Sequence, residues 1–496
     1  MMKRICLPIL LMLLPVLMWG RRVEVRNQED FDLLQHSVEA ILSSKDTLAD
    51  IRIAPGVYYF REGHLLLSDI DRADFHLRIL GSGAVLTAIS TGPGYDLDFG
   101  YVDLENKEPV DIREHVAKAG SWPIPVPFRR NVFMIRCQEP DRSEEEVEGW
   151  HIILSQWFKG AVYPVEKIHK GWLYFRKDRD YGTRMWSELR FGRCFPRYIL
   201  CHPPVREDLH PCGVSNFLTV QDSRLGSVAL EGLTFLGNKA GKSLLQFDRV
   251  DAGRIRISGN RFLGIRSETI STEETDRIQV RECLFRNNYL SSIYIGEGGS
   301  DVSVLNNRFL DNGLMMSNAA VVRCLANDYR IADNYFEDFS YSAVSVGIHY
   351  TKPDRFGTSG VVEKNEICMS EAFRRGVPRA LIDAGAIYIG TINEQAVIRD
   401  NHIHDILGPH GNRGILADDG AVNVEIARNR IFHIWNGYCI DLRRCYRVAR
   451  RSNSKISRTN VGNKVHDNIC DGRMRLFVRK DDPGSLLSNN ETVRGL

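Results

Sequence analysis

A short unit recurs through the second half of this chain and decides what the chain can fold into. It is a β-type run, an Asn, and a second β-type run that reads Asn-x-aromatic or Asn-x-aliphatic. Aligned on that Asn, copies fall at Asn260, Asn307, Asn334, Asn365, Asn401, Asn429 and Asn463, with Cys283 in the same place between the first two. Successive separations are 23, 24, 27, 31, 36, 28 and 34 residues, so a constant core is joined by one loop of changing length. Helical arrays hold their period and show helical spacing, whereas β-branched and aromatic residues alternate here. Asn tolerates left-handed geometry at a sharp corner, and amides stacked on successive coils can bond as a ladder. The pattern predicts an all-β chain, a right-handed parallel β-helix with one repeat per coil.

A chain of 496 residues has room for several ordinary domains, but a solenoid uses most of that length as one. Basic and acidic residues number 65 and 63, with no basic tail, which argues against nucleic acid as a partner. Residues 1–20 place Lys3 and Arg4 ahead of an apolar run from Leu7 to Trp19, the pattern of a signal peptide. The expected location is secreted or periplasmic, with no membrane span once the leader is removed. Cys283, Cys324, Cys368 and Cys439 fall in repeat strands and read as buried thiols. Cys194, Cys201 and Cys212 cluster outside the repeats, where one bridge is possible, and no pair has zinc-site spacing.

Residues 21–90 hold a capping helix, with Phe31, Leu34, Val38, Ile41 and Leu42 at helical spacing, and then the first coils. A cap of this kind covers the apolar cross-section and strand edges of a first coil. Over residues 91–215 the repeat vanishes, and Trp122, Trp150, Trp157, Trp172 and Trp186 gather in what reads as an inserted β-rich module. Those Trp suit either the module's own core or contact with sugar rings. The main β-helix spans residues 216–472, and residues 473–496 form a last strand and cap.

The cap, the Ile51–Tyr58 opening (IRIAPGVY) and the Asn-x-Ile coils resemble the pectin-lyase-like superfamily, and in detail secreted bacterial β-helix proteins of polysaccharide-utilisation systems. The resemblance covers nearly everything but the insert. It implies three strands per coil, with the Asn column between the second and third. It also implies that substrate lies along the outside of the first-strand sheet, walled by the variable loops. First strands are then Ser292–Gly296, Ala343–Gly347, Ala386–Gly390, Gly414–Asp418 and Tyr438–Asp441. The superfamily includes lyases, hydrolases, epimerases and adhesins, so the fold alone does not choose among them.

Strand alternation selects the outward acids. With Ile415 and Ala417 inward, Leu416 and Asp418 face out; with Tyr438 and Ile440 inward, Cys439 and Asp441 face out. Each Asp follows a Gly by four residues, which predicts the two carboxyls side by side on adjacent coils, roughly 5 Å apart. Two like charges so close would push one pKa up. That separation suits the acid and nucleophile of a retaining glycosidase, with Asp419 as a partner if the gap is wider. Asp-Asp-Gly is equally a common turn, and Asp441 has Arg443 and Arg444 beside it for an ion pair. Candidate substrate-binding residues are Tyr388, Asp383, His404, His410, Arg413, Arg443, His349 and Glu297. The His-x-His-Asp run, His402–Asp405, invites a metal reading, but the Asn corner already accounts for its spacing, so no metal site is assigned.

The expected function is a carbohydrate-active enzyme that cleaves glycosidic bonds of a polysaccharide or oligosaccharide, a glycoside hydrolase with paired Asp residues and no cofactor. One alternative is a polysaccharide lyase, in which the acids would hold calcium. Another is a non-catalytic glycan-binding solenoid.

Overall fold

The computed structural model describes residues 20–88, 101–109, 116–121, 126–129, 132–148, 150–156, 159–176, 197–201, 209–211, 216–238, 243–313, 320–347, 358–370, 385–390, 393–407, 412–418, 421–443, 461–476 and 486–493. It is a right-handed parallel β-helix. First and second strands of the coils belong to one 23-stranded sheet, continuous because strands such as Leu218–Glu231 run round the corner between them. The third strands form a separate 12-stranded sheet. Inward residues stack in columns: Ile387, Ile389, Ile415, Ala417, Ile440 and Leu442 are all fully buried. In the third-strand sheet, Phe235, Phe262, Phe285, Phe309 and Phe336 form a file, with successive ring centroids 5.3, 4.8, 4.8 and 4.6 Å apart. The coil spacing of parallel strands sets that stacking distance.

The Asn corner forms the expected amide ladder, but its left-handed residue is not the Asn. Left-handed backbone is carried by the residue before each Asn, namely Asn306, Asp333, Lys364, Asp400, Arg428 and Asp467, with φ between 54° and 57°. The Asn itself is buried and acts through its amide. In Asn307, Asn334, Asn365 and Asn401, Nδ2 donates to Oδ1 of the Asn one coil on, at 3.0 Å each time. The ladder then runs from Asn429 to Asn468 and Asn490. Asn463 is therefore not a member: it sits at the preceding corner, where its Oδ1 accepts from the Val424 amide at 3.0 Å. Asn468, five residues on, carries the column because its side chain points inward at the second corner.

The N-terminal cap is a pair of short helices, Gln28–Asp32 and Leu34–Leu42, the first started by Asn27, whose side chain accepts from the Asp30 amide. Phe31, Leu34, Val38 and Ile41 are buried against the first coils. Between the strand Ala84–Thr87 and the strand Leu218–Glu231 the chain leaves the solenoid. There it forms a 7-stranded antiparallel sheet whose core includes Ile135, Trp150, Tyr163 and Phe175. Trp150 belongs to that core, and the Arg136 guanidinium lies 4.3 Å from the Trp172 ring centroid. Trp122, Trp157 and Trp186 lie outside the described residues. At the base of this excursion, Glu108 pairs with Arg286 at 3.0 Å on the outer face of the third-strand sheet.

Candidate functional site

Four successive first strands, Ile387–Ile389, Arg413–Ala417, Tyr438–Leu442 and Met474–Leu476, bring the candidate residues together. Their register places Tyr388, Leu416, Asp441 and Arg475 in one outward column. Asp418 directly follows the strand Arg413–Ala417, its amide bonded to the Ile389 carbonyl at 3.1 Å. The Asp418 carboxylate accepts from the Tyr388 hydroxyl on one neighbouring coil and from Arg443 Nη1 on the other, both at 3.1 Å.

Asp441 has a different surrounding. Its side chain is fully buried, and Arg413 Nε, Arg443 Nε and Arg475 Nε donate to it at 3.0, 3.2 and 2.7 Å. Arg475 Nη2 completes a two-point grip on the carboxylate. Burial pushes the Asp441 carboxyl up, but the Arg475 bond and the charges of Arg443, Arg475 and Arg413 prevail, so its pKa lies below the ordinary value. On balance no upward shift appears at Asp441, where Arg443 stands between the two acids and bonds both.

The acids are thus not level. Asp441 pairs with Leu416, and the residue level with Asp418 is Arg443, whose amide bonds to the Ala417 carbonyl at 2.9 Å. Counting from the preceding glycines misleads because Gly437 lies against Asn412, where an added Cβ would collide with the Asn412 carbonyl oxygen, while Gly414 lies level with Cys439. The alternation also breaks here. Cys439 and Ile440 both join the core, whereas the Tyr438 ring stays outside, 4.5 Å from the Arg475 guanidinium. Leu416, expected in solvent, is fully buried.

Among the other predicted residues, Tyr388, Arg413 and Arg443 belong to this constellation. His404 does not: it ends the strand His402–His404 in the third-strand sheet, on another face of the coil. Glu297 is on the first-strand face, its amide donating to Glu273 at 3.2 Å, but four coils from Asp418, about 19 Å at the usual strand spacing. Asp383, His349, His410 and Asp419 lie outside the described residues.

Arg475 and a second polar cluster escaped the sequence reading. Tyr294 Oη donates to Glu273 at 3.4 Å, and the Arg323 guanidinium lies 5.6 Å from the Tyr294 ring. Burial, then the Glu273 charge, raises the Tyr294 pKa. Tyrosine, acid and arginine therefore occur together twice on the same face. The alternation in Val322–Cys324, apolar-Arg-apolar, was the available signal for Arg323, as Met474–Leu476 was for Arg475.

No family model and no curated protein matches the chain. Among solved structures, it is similar to a glycoside hydrolase at 11% identity and TM-score 0.48, over 95% of this chain and 96% of that one. An alginate lyase from Paenibacillus sp. str. FPU-7 gives 8% identity and TM-score 0.27, over 84% and 95%. The tailspike gp61 of Pseudomonas phage phi297 gives 10% and 0.25, over 93% and 73%. These likenesses are distant, and the fold rests on the strand pairings themselves.

Proposed function

We propose that the chain is a carbohydrate-active enzyme that cleaves glycosidic bonds of an acidic polysaccharide or oligosaccharide along its first-strand face. The observation that carries this reading is the Asp418 carboxylate, held between a phenol and a guanidinium drawn from the two adjacent coils. Asp418 is the group assigned to proton transfer at the glycosidic oxygen, with Tyr388 as a donor beside it. Asp441 is recast as a positioning residue, since its carboxylate is occupied by three guanidiniums and arrays them along the face. Among the described residues three guanidiniums stand beside the two carboxylates, and a guanidinium fork is suited to a sugar carboxylate or sulfate. In hydrolysis the second carboxylate would be Asp419, the next residue in the chain.

One observation favours a second reaction class. A phenol and a guanidinium cluster beside a single carboxylate also suit β-elimination from a uronate, in which a cation neutralises the sugar carboxylate while a base takes the adjacent proton. Hydrolysis here needs no cofactor, whereas elimination would be aided by a cation such as calcium. We place the mature protein outside the cytoplasm, after removal of residues 1–20 as a leader.

The test is a panel of acidic and neutral glycans, assayed with and without calcium, reading new reducing ends and unsaturated uronides together. Hydrolysis yields only the former. Asp418→Asn keeps the shape and removes the ionisable group, so turnover should fall by about two or more orders of magnitude with folding intact. Full activity of that variant on a verified substrate would make the acid structural and put a glycan-binding solenoid first.

A further inference from the structure

On the outer face of the third-strand sheet, away from Asp418, two imidazoles and a carboxylate converge. His402 and His404 lie two apart on one strand, so both project outward, and Glu366 pairs with His402 from the preceding coil. One ligand atom from each of the three lies within 4.8 Å of the others. The two imidazole ring centroids are 4.5 Å apart.

His404 is the informative member. Its Nδ1 lies 2.8 Å from Asp405 Oδ2. A carboxylate at Nδ1 fixes the proton there and turns the Nε2 lone pair outward, the arrangement that supports metal-binding histidines. Nε2 is buried without a hydrogen-bond partner and faces Glu366 Oε1 at 3.5 Å. In the neutral tautomer with the proton on Nδ1, that nitrogen and the carboxylate oxygen are two acceptors confronting each other, which a cation between them would relieve. Asp405 is itself held, its other oxygen 3.1 Å from His433 Nδ1.

We propose that Glu366, His402 and His404 bind a divalent transition metal of the zinc type, with Asp405 as the residue that orients His404. Two nitrogens and one carboxylate oxygen match zinc's preferences, and water would complete the tetrahedron. Ligand atoms about 2.1 Å from a metal stand about 3.4 Å apart in a tetrahedron, so the exposed Glu366 and His402 side chains close inward on binding. The site joins two coils across 36 residues of chain, so its role is to staple the solenoid rather than to take part in the reaction at Asp418.

The experiment uses the full mature chain stripped with chelator and titrated with zinc chloride by calorimetry, with cobalt as a spectroscopic probe. One equivalent should bind, cobalt should give the visible bands of a four-coordinate site, and the melting temperature should rise by about 3 °C at a hundredfold excess over Kd. His404→Ala and His402→Ala should each abolish that binding, and Asp405→Asn should weaken it about tenfold to a hundredfold. Glu366→Gln, which preserves size, guards against variants that fail to fold and should also lose most affinity. Binding unchanged in all four variants would overturn the site, as would absence of zinc binding to the folded wild type. So would an equal loss of melting temperature for His404→Ala with chelator and with zinc, which would make His404 an ion-pair residue only.

Discussion

Asp441 sets burial against charge, and the outcome determines how the whole face behaves in acid. A fully enclosed carboxylate is costly unless paired, and three guanidiniums supply the pairing. Its folded pKa is depressed, so the stability it contributes is fully present above the unfolded value, about 3.9, and is lost as pH falls through the folded pKa. Asp441→Asn should therefore cost about 3 kcal/mol at neutral pH, by leaving three cations facing one another. The same variant should show a shallower loss of melting temperature between pH 5 and pH 2 than the wild type, because the titrating group is gone. A parallel decline of both proteins in that range would show that other carboxylates govern acid unfolding. That Asp418 and Asp441 share a face with Tyr388 and Arg443 was legible in the sequence, because alternation along short strands identifies outward residues. Their relative height was not. Register depends on which backbone atoms meet, and Gly437 answers to the close approach of Asn412 rather than marking a strand start.

Among the elements, the Asn corner was the most legible: its amide ladder was foreseen, and only the place of its left-handed residue was misread. Its spacing is visible because a side chain needed once per coil must recur once per coil. The sequence could not show that the left-handed residue is the one before it, since Asp, Asn, Lys, Glu and Arg all occupy that place. Nor could it choose between Asn463 and Asn468, both followed by β-type runs. The ladder makes a quantitative prediction at Asn365. Its Oδ1 accepts from the Asn334 amide and Nδ2 at 3.1 and 3.0 Å, and its Nδ2 reaches the Ile331 carbonyl at 3.0 Å. Asn365→Ala strands these buried groups and should cost about 3–4 kcal/mol by denaturant unfolding. Cys283 interrupts the same ladder, its amide bonded to Asn307 Oδ1 at 3.0 Å and its buried thiol on the Ile257 carbonyl. Cys283→Asn should extend the ladder towards Asn260 and stabilise by about 1 kcal/mol. If Asn365→Ala proved neutral, the column would be a turn preference and not a bonded ladder.

At the scale of the whole molecule, stability in a solenoid is a sum over coils and the contacts between neighbours, so damage at one end need not reach the other. The ends are where that matters, because the terminal coil offers unpaired strand edges. At the N-terminal end, strand Gly20–Val25 pairs with Leu48–Ile53, and the two short helices pack Phe31, Leu34, Val38 and Ile41 over the core. Phe31 stacks on His64 with centroids 4.3 Å apart, and Phe217 lies 6.2 Å from it, so the aromatic file of the third strands begins within the cap. Val38→Asp buries an unpaired charge beneath the helix and should detach the cap rather than be absorbed. Hydrogen exchange should then accelerate strongly in strands Leu48–Ile53 and Asp71–Leu80. The amides of Ile387, Ile415 and Ile440, seven or more strand pairings away through the stack, should keep wild-type protection, and turnover per folded molecule at Asp418 should be unchanged. Uniform loss of protection from one end to the other would instead mean that the coils unfold as one unit, with the cap as its keystone.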